Sequence, residues 1–191
     1  MTLPNLDIIP SFNSLPDELK IFFTSDRNAL LSADRVYRYL LIRNTGAVPK
    51  YDTGPCENTV LFLMLNPSTA DENEDDATIR RCISFAREWG YTWALVANLF
   101  ALRATDPMEL RTVDDPIGPQ NDTAISMASW YSAFTVCAWG NHGWVGGRDR
   151  IVLERLLRGR GIDVRHLGLT KQGRPKHPLY LAKTTKPEPW A

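Results

Sequence analysis

Two largely apolar runs, residues 59–65 and 93–100, constrain the fold of this chain more than any other feature. Runs of this length without alternating polar positions are typical of strands that are buried on both faces, as in a parallel sheet. Residues 75–89, which lie between them, place apolar side chains at helical spacing, and Gly90 supplies a stop signal. The three segments predict a β-α-β unit.

The same pattern continues towards the C-terminus. It predicts a helix from Asn121 or Asp122 to Tyr131, a strand over 134–139, a helix over 149–158 and a strand over 164–168, while the alternating run 35–42 predicts an edge strand. We therefore expect an α/β fold, a three-layer sandwich with a mostly parallel central sheet of about four core strands. The expected organisation is an N-terminal arm or short helix (1–34), a single α/β domain (35–182) and a C-terminal tail (183–191).

The distribution of charge is more informative than its balance. The chain has 191 residues, 22 basic and 22 acidic, yet residues 141–186 contain eleven Lys and Arg against three Asp and Glu. A basic face of this kind can bind phosphate backbones. A solvated helix flank followed by a basic tail would give the same composition, and the sequence leaves both interpretations open.

The residue types and their spacing argue against several functional classes. Cys56, Cys82 and Cys137 are odd in number and lack metal-ligand spacing, so we expect neither a disulfide framework nor a metal site. Glycine-rich nucleotide loops and the nucleophile elbow are not found, and we expect no cofactor. Without a signal-like or membrane-spanning run, the chain is expected to be a cytoplasmic monomer with no membrane partner.

Polar residues follow four of the predicted strands at the point where each strand ends. Ligands of open parallel sheets bind beyond the carboxyl ends of the strands, where the loops carry side chains over the sheet edge. A shared cleft is therefore expected at this edge. Its candidate residues are Asn66, Pro67 and Ser68 after the first run, Asn98 and Phe100 in the second, Trp139 and Gly140 after the third strand, and His177 near the C-terminus.

Each candidate also has a plain structural interpretation. Asn66 could hold a water or simply close a turn, and the acidic run 71–76 favours a helix start over a cation site, with Asp71 kept as a candidate for orienting water. Asn98, as a buried amide, needs hydrogen-bond partners from a neighbouring loop or from a planar ligand. His177 could donate to a developing oxyanion or lie on the surface of a basic tail.

Several of these motifs together resemble a bacterial family of unknown function, number 1643, over about residues 35–182. The resemblance lies in segments 65–71, 80–82, 89–91, 98–100, 121–122 and 176–181, and it implies no activity. More distantly, the order of the strand-end motifs resembles the uracil-DNA glycosylase superfamily. Two departures are Ser68, where that superfamily has glycine after Asn-Pro, and Leu179-Tyr180 in the second half of the late His-Pro-Ser-Pro loop.

The second resemblance implies a role for each candidate residue. Asn66, with Asp71, would position the hydrolytic water beside Pro67 and Ser68, Asn98 would read the base, and His177 would stabilise the departing base. Phe100, Trp139 and Gly140 would complete the substrate site, and DNA phosphates would contact Arg103, Lys171, Arg174 and Lys176.

The expected function is hydrolytic excision of a flipped base, either modified or uracil, from single- or double-stranded DNA. The alternatives are an N-glycosidase acting on free nucleosides or nucleotides, and a non-catalytic module that recognises a nucleotide or a modified base.

Overall fold

The computed structural model describes residues 25–51, 56–143 and 145–190. Within these residues the chain forms an α/β fold around one mixed sheet of seven strands, ordered β1-β2-β4-β3-β5-β6-β7. The strands are β1 (Arg27–Leu31), β2 (Arg38–Asn44), β3 (Thr59–Met64), β4 (Trp93–Asn98), β5 (Phe134–Cys137), β6 (Val164–His166) and β7 (Glu188–Pro189).

The centre of the sheet is parallel and its two sides are antiparallel. Strands β4, β3, β5 and β6 pair in parallel, with Leu61 opposite both Leu95 of β4 and Thr135 of β5. Strands β1 and β2 add antiparallel neighbours on one side, and β7 adds one on the other. The α/β class is confirmed, and the sheet, which the sequence predicts as mostly parallel with about four core strands, is a mixed sheet of seven strands.

Three helices cover the two faces of the sheet. They are α1 (Ala77–Glu88), α2 (Asn121–Trp130) and α3 (Arg148–Ile151), the last continuing as a π-helical segment (Val152–Leu157). Helix α1 buries Ile79, Cys82 and Phe85 against one face, which we call the α1 face. Helix α2 and the π-helical segment that continues α3 pack on the opposite face. The three predicted helices are confirmed, although α2 is preceded by Gln120, whose side chain makes no capping hydrogen bond.

Strand β2 lies inside the sheet, so the prediction of an edge strand over 35–42 is wrong. Strand β1 covers it, with Ala29 opposite Leu41. Because β1 lies within the predicted arm 1–34, the last part of that arm belongs to the sheet; residues 1–24 lie outside the described residues. Burial on both faces explains why Arg38 and Arg43, at 2% and 1% exposed, are among the most buried charged side chains.

The C-terminal segment folds back onto the domain, whereas the sequence predicts a tail over 183–191. The Trp190 N–H donates to the Val164 carbonyl at 2.8 Å, and its ring lies 5.8 Å from the ring of Trp139. Arg158 donates to the Trp190 carbonyl at 3.1 Å. These contacts close the β6 side of the sheet.

Candidate functional site

The parallel strands bring the predicted residues to one edge of the sheet. Strand β3 lies between β4 and β5. The connection from β3 to β4 passes over one face through α1, and the connection from β4 to β5 passes over the opposite face through α2. Such a reversal opens a crevice beyond the carboxyl ends of the central strands, where ligands bind in sheets of this type. The loops after β3, β4, β5 and β6 all leave the sheet at this edge.

Asn98, the last residue of β4, has a buried side-chain amide without hydrogen bonds. The residue is 1% exposed, and neither Nδ2 nor Oδ1 has a partner among the described residues. Strand alternation places it on the α1 face, since Ala94 and Val96 of the same strand pack against α1. An unpaired buried amide lowers the stability of the folded protein by about 1–3 kcal/mol. A ligand that offers both a donor and an acceptor would therefore bind favourably to this side chain.

The backbone at the end of β4 is held firmly from the opposite face. Asn121, the first residue of α2, donates through Nδ2 to the carbonyls of Asn98 and Leu99 at 3.0 and 2.9 Å. The Nε atom of Arg148 also donates to the Leu99 carbonyl at 2.9 Å. These hydrogen bonds fix the backbone that carries the Asn98 side chain, and they therefore favour one orientation of its amide.

Arg38 reaches the same end of the α1 face from β2. Its Nη1 donates to the Ala70 carbonyl at 2.7 Å, whereas its Nε is buried and has no partner in the described part of the chain. Burial lowers the pKa of Arg38 to about 10, even though Asp76 acts to raise it. The guanidinium is therefore still charged at neutral pH.

Asp76 is the N-cap residue of α1, at the end of the helix that lies near the carboxyl ends of the parallel strands. Its Oδ1 accepts the backbone N–H of Ile79 at 2.8 Å, which caps the helix. Its negative charge also raises the pKa of both Arg38 and His177. The charge of the Asp76 carboxylate thus acts on both Arg38 and His177.

His177 comes from the loop after β6 and lies beside α1. The turn that it caps, Pro178–Tyr180, contacts α1, and Arg81 of α1 donates to the Leu181 carbonyl. The Nδ1 of His177 accepts the Leu179 N–H at 3.3 Å, which leaves Nε2 as the protonated nitrogen of a neutral ring. Burial lowers the pKa of His177, and the charge of Asp76 opposes this shift.

The loop after β3 is tied to the loop after β4. Asn66 donates through Nδ2 to the Ala104 carbonyl at 2.7 Å, and the Ala104 N–H donates to the carbonyl of the buried Pro67 at 2.9 Å. The amide nitrogen of Asn66 is thus used within the fold. Its Oδ1 is the atom left to accept a hydrogen bond from a water.

Asp71 has a local structural task. Its Oδ1 accepts the backbone N–H groups of Asn73 and Glu74 at 2.9 and 3.1 Å, and Arg35 lies 3.5 Å from its Oδ2. The pKa of Asp71 is lowered chiefly by the hydrogen bond from Asn73. The structure therefore places Asp71 in the turn that precedes α1, and the carboxylate whose charge acts on the pKa of His177 is that of Asp76.

Ser68 and Arg103, predicted on separate grounds, line one cavity of about 350 Å³ together with Arg35, Val36, Thr69, Ala104 and Thr105. Arg35 is occupied by Glu72, to which it donates two hydrogen bonds of 3.0 Å. Among the described residues, the Arg103 guanidinium donates one hydrogen bond, of 3.4 Å, to the Arg35 carbonyl. The cavity therefore combines one available guanidinium with three hydroxyl groups, an arrangement that suits a phosphate.

The predicted aromatic residues lie on the opposite face of the sheet. Phe100 and Trp139 are each 2% exposed and belong to the core beneath α2 and α3. Gly140 connects this core to the loop after β6, because its N–H donates to the Pro175 carbonyl at 2.9 Å. Phe100 and Trp139 are separated by the sheet from the Asn98 side chain and from α1.

The three predicted basic residues of the loop after β6 differ in their surroundings. Lys171 and Lys176 are exposed, whereas Arg174 forms an ion pair with Asp149, a carboxylate that is 4% exposed. Arg174 thus links this loop to α3, and the two lysines are free to contact an external anion.

In the described ranges no group of three or more His, Cys, Asp or Glu side chains is placed to hold a metal ion. The acidic run 71–76 is divided among a turn, a helix cap and Asp75, which pairs with Arg27 and Arg43 at 3.1 and 2.7 Å. Cys56, Cys82 and Cys137 are free and buried. No helix among the described residues is long and apolar enough to cross a bilayer.

Comparison with known proteins identifies a family. The family model described as "Protein of unknown function (DUF1643)" matches residues 38–179, well over half of the chain. The chain belongs to this family. No curated protein and no solved structure matches it significantly. The DUF1643 segment contains β2 to β6, and hence Arg38, Asp76, Asn98 and His177.

Sequence reasoning missed Arg38 and Asp76. The interpretation of 35–42 as an edge strand places the charge of Arg38 in water, and a solvated arginine is not a candidate site residue. Asp76 carries a usable signal, because the last acidic residue before an amphipathic helix is the position that favours an N-cap. The apolar run 93–100 gave the corresponding signal for Asn98, whose amide is the only polar side chain in its second half.

Proposed function

We propose that this DUF1643 protein removes a base from DNA by hydrolysing its N-glycosidic bond, with an arrangement like that of uracil-DNA glycosylases. The single observation that supports the proposal is the buried amide of Asn98, whose donor and acceptor are both unpaired at the carboxyl end of a parallel strand. A nucleobase edge with adjacent N–H and C=O groups would satisfy both atoms at once.

His177 is suited to act on the departing base. A base leaves its sugar as an anion, and a neutral imidazole that donates from Nε2 can stabilise the charge as it develops. The hydrogen bond from Leu179 to Nδ1 fixes this tautomer, and the lowered pKa keeps the ring neutral at physiological pH. The turn that His177 caps, Pro178–Tyr180, contacts α1.

The hydrolytic water would be held by Oδ1 of Asn66, since Nδ2 of that residue is committed to Ala104. The water oxygen forms a bond to the anomeric carbon of the sugar as the C–N bond breaks, and the bonding pair leaves with the base. The proton that the water loses passes to solvent or to the released base. Arg103, Lys171 and Lys176 would contact flanking phosphates around the flipped nucleotide.

The direct test is base release from oligonucleotides that carry different normal and modified bases, with abasic sites revealed by alkali. Wild-type protein is expected to release at least one base, and Asn98→Ala to lose about 100-fold or more of the rate. Asn73→Ala, which changes an exposed asparagine in the loop before α1, is the matched control and is expected to retain the wild-type rate.

For His177→Ala a loss of similar size is expected. His142→Ala, an exposed histidine after β5, is its control. Release of every base at the uncatalysed rate would contradict the proposal. If DNA or free nucleotides then bound without reaction, the chain would be a recognition module instead.

A further inference from the structure

Within the part of the chain that the structure describes, Arg38 is a buried cation without a paired carboxylate. It is 2% exposed, and the only hydrogen bond of its guanidinium among the described residues joins Nη1 to the Ala70 carbonyl. Asp76 acts on it through space, but two further cations, Arg43 and Arg103, add positive charge nearby. A buried charge that lacks a partner is strongly destabilising, and this one is placed where an anion would stabilise it.

Arg38 and Asn98 present their unpaired atoms at the same end of the same face. Strand β2 lies antiparallel beside β4, with Leu41 opposite Val96, and the Arg38 N–H donates to the Ala101 carbonyl just beyond β4. Leu41 and Val96 both pack on the α1 face, as does Ala70, the residue that Nη1 contacts. The free Nε of Arg38 therefore lies on the Asn98 side of the sheet.

The two side chains offer complementary chemistry. The amide of Asn98 provides one donor and one acceptor, which match the edge of a nucleobase. With Nη1 used by Ala70, the other edge of the Arg38 guanidinium, formed by Nε and Nη2, remains to bind two oxygens of one carboxylate. Together they can bind a planar ring that also carries an anionic group.

We propose that the base bound at Asn98 is a pyrimidine that carries an anionic substituent, and that Arg38 binds this substituent. The inference rests on the proposed function, in that Asn98 is taken as the residue that reads the base. A single ring fits the observation that Asn98 is 1% exposed, because it requires the least displacement of the surrounding side chains. A carboxylate on the ring is the simplest substituent that satisfies the Nε edge.

The test measures binding separately from base release. Free uracil, thymine and 5-carboxyuracil are titrated into wild-type protein by calorimetry, and oligonucleotides with the same three bases are assayed for release. Wild-type protein is expected to bind 5-carboxyuracil about tenfold more tightly than uracil or thymine. Arg38→Gln is expected to lose this preference while changing uracil binding by less than about threefold. Arg80→Gln, on the exposed side of α1, is the matched control.

Equal affinity for the three bases would overturn the inference, even if uracil were released from DNA. Uridine and uridine monophosphate are titrated in the same way. A preference for the monophosphate that Arg38→Gln loses, without one for 5-carboxyuracil over uracil, would also overturn the inference and assign Arg38 to a phosphate. A carboxylate preference that needs Arg38, seen without any base release, would support the inference and contradict the proposed hydrolysis. Should Arg38→Gln fail to fold, the wild-type ligand series still decides the outcome.

Discussion

The Nδ1 atom of His177 accepts the backbone N–H of Leu179 at 3.3 Å, within the turn that packs against α1. This contact fixes the ring, and burial lowers its pKa below the ordinary value of 6.5. The unfolded chain therefore binds a proton more readily than the folded protein does when the pH falls below this value. His177 contributes its full stability above about pH 6.5, and loses it as the pH falls through the folded-state pKa.

The first prediction follows from this linkage. Between about pH 7.5 and pH 5.5, wild-type protein should lose more free energy of unfolding than His177→Gln, because the variant lacks the group whose pKa is shifted. Urea unfolding at the two pH values measures the difference. The same pH dependence in both proteins would show that His177 keeps its ordinary pKa when folded.

Asn98→Leu separates a binding role from a structural one. Replacing two unpaired polar atoms by an apolar side chain of similar shape should leave the free energy of unfolding unchanged or raise it by about 1 kcal/mol. The same substitution should abolish base release. Thermal and urea unfolding give the first quantity, and the oligonucleotide assay gives the second. A loss of 1–3 kcal/mol in stability would instead indicate that the Asn98 amide makes hydrogen bonds in the folded protein.

Asp76 carries two separable roles, and two substitutions distinguish them. Asp76→Ala should cost about 1 kcal/mol in stability because the Ile79 N–H loses its cap, whereas Asp76→Asn keeps a good capping residue. Both variants should lower the pKa of His177 further, since the Asp76 charge raises it. An NMR titration of the His177 ring measures this shift. An unchanged pKa in both variants would place Asp76 too far from His177 to act on it.

Trp190→Ala tests whether the C-terminal segment belongs to the domain. The indole packs against Trp139 and His166 at centroid distances of 5.8 and 5.9 Å, and the Arg158 guanidinium lies 5.8 Å from it. Loss of these contacts should lower the free energy of unfolding by about 1–2 kcal/mol. Chemical denaturation measures the change. Wild-type stability in the variant would mean that the segment is detached in solution.

The basic loop after β6 predicts a salt-dependent contact with DNA. The double variant Lys171→Ala, Lys176→Ala should weaken DNA binding and reduce the slope of log K against log salt by about one to two. Lys183→Ala, an exposed lysine outside this loop, is the control. Fluorescence anisotropy over a series of salt concentrations measures the slope. An unchanged slope would remove the two lysines from the phosphate contacts.

Local patterns were enough to predict the centre of the fold. The apolar runs at β3 and β4 and the periodicity of α1 report burial that each segment shows by itself, so the β-α-β unit and the edge that carries Asn66, Asn98 and His177 could be predicted from the residues alone. The short segment that forms β1, Arg27–Leu31, shows neither a long apolar run nor a clear alternation. Its pairing with β2 depends on contacts between distant parts of the chain. For that reason the sequence predicts β2 to be an edge strand.

The sequence alone therefore determined the order of elements and which loops share one end of the sheet, because helix and strand periodicity are local properties. Only the tertiary structure decided which side chains meet there. It moved Phe100 and Trp139 to the opposite face, used Asp71 in a turn, and brought Arg38 and Asp76 to Asn98 and His177. These outcomes depend on strand order and on which face each residue points to, and both are fixed only when the whole sheet is assembled.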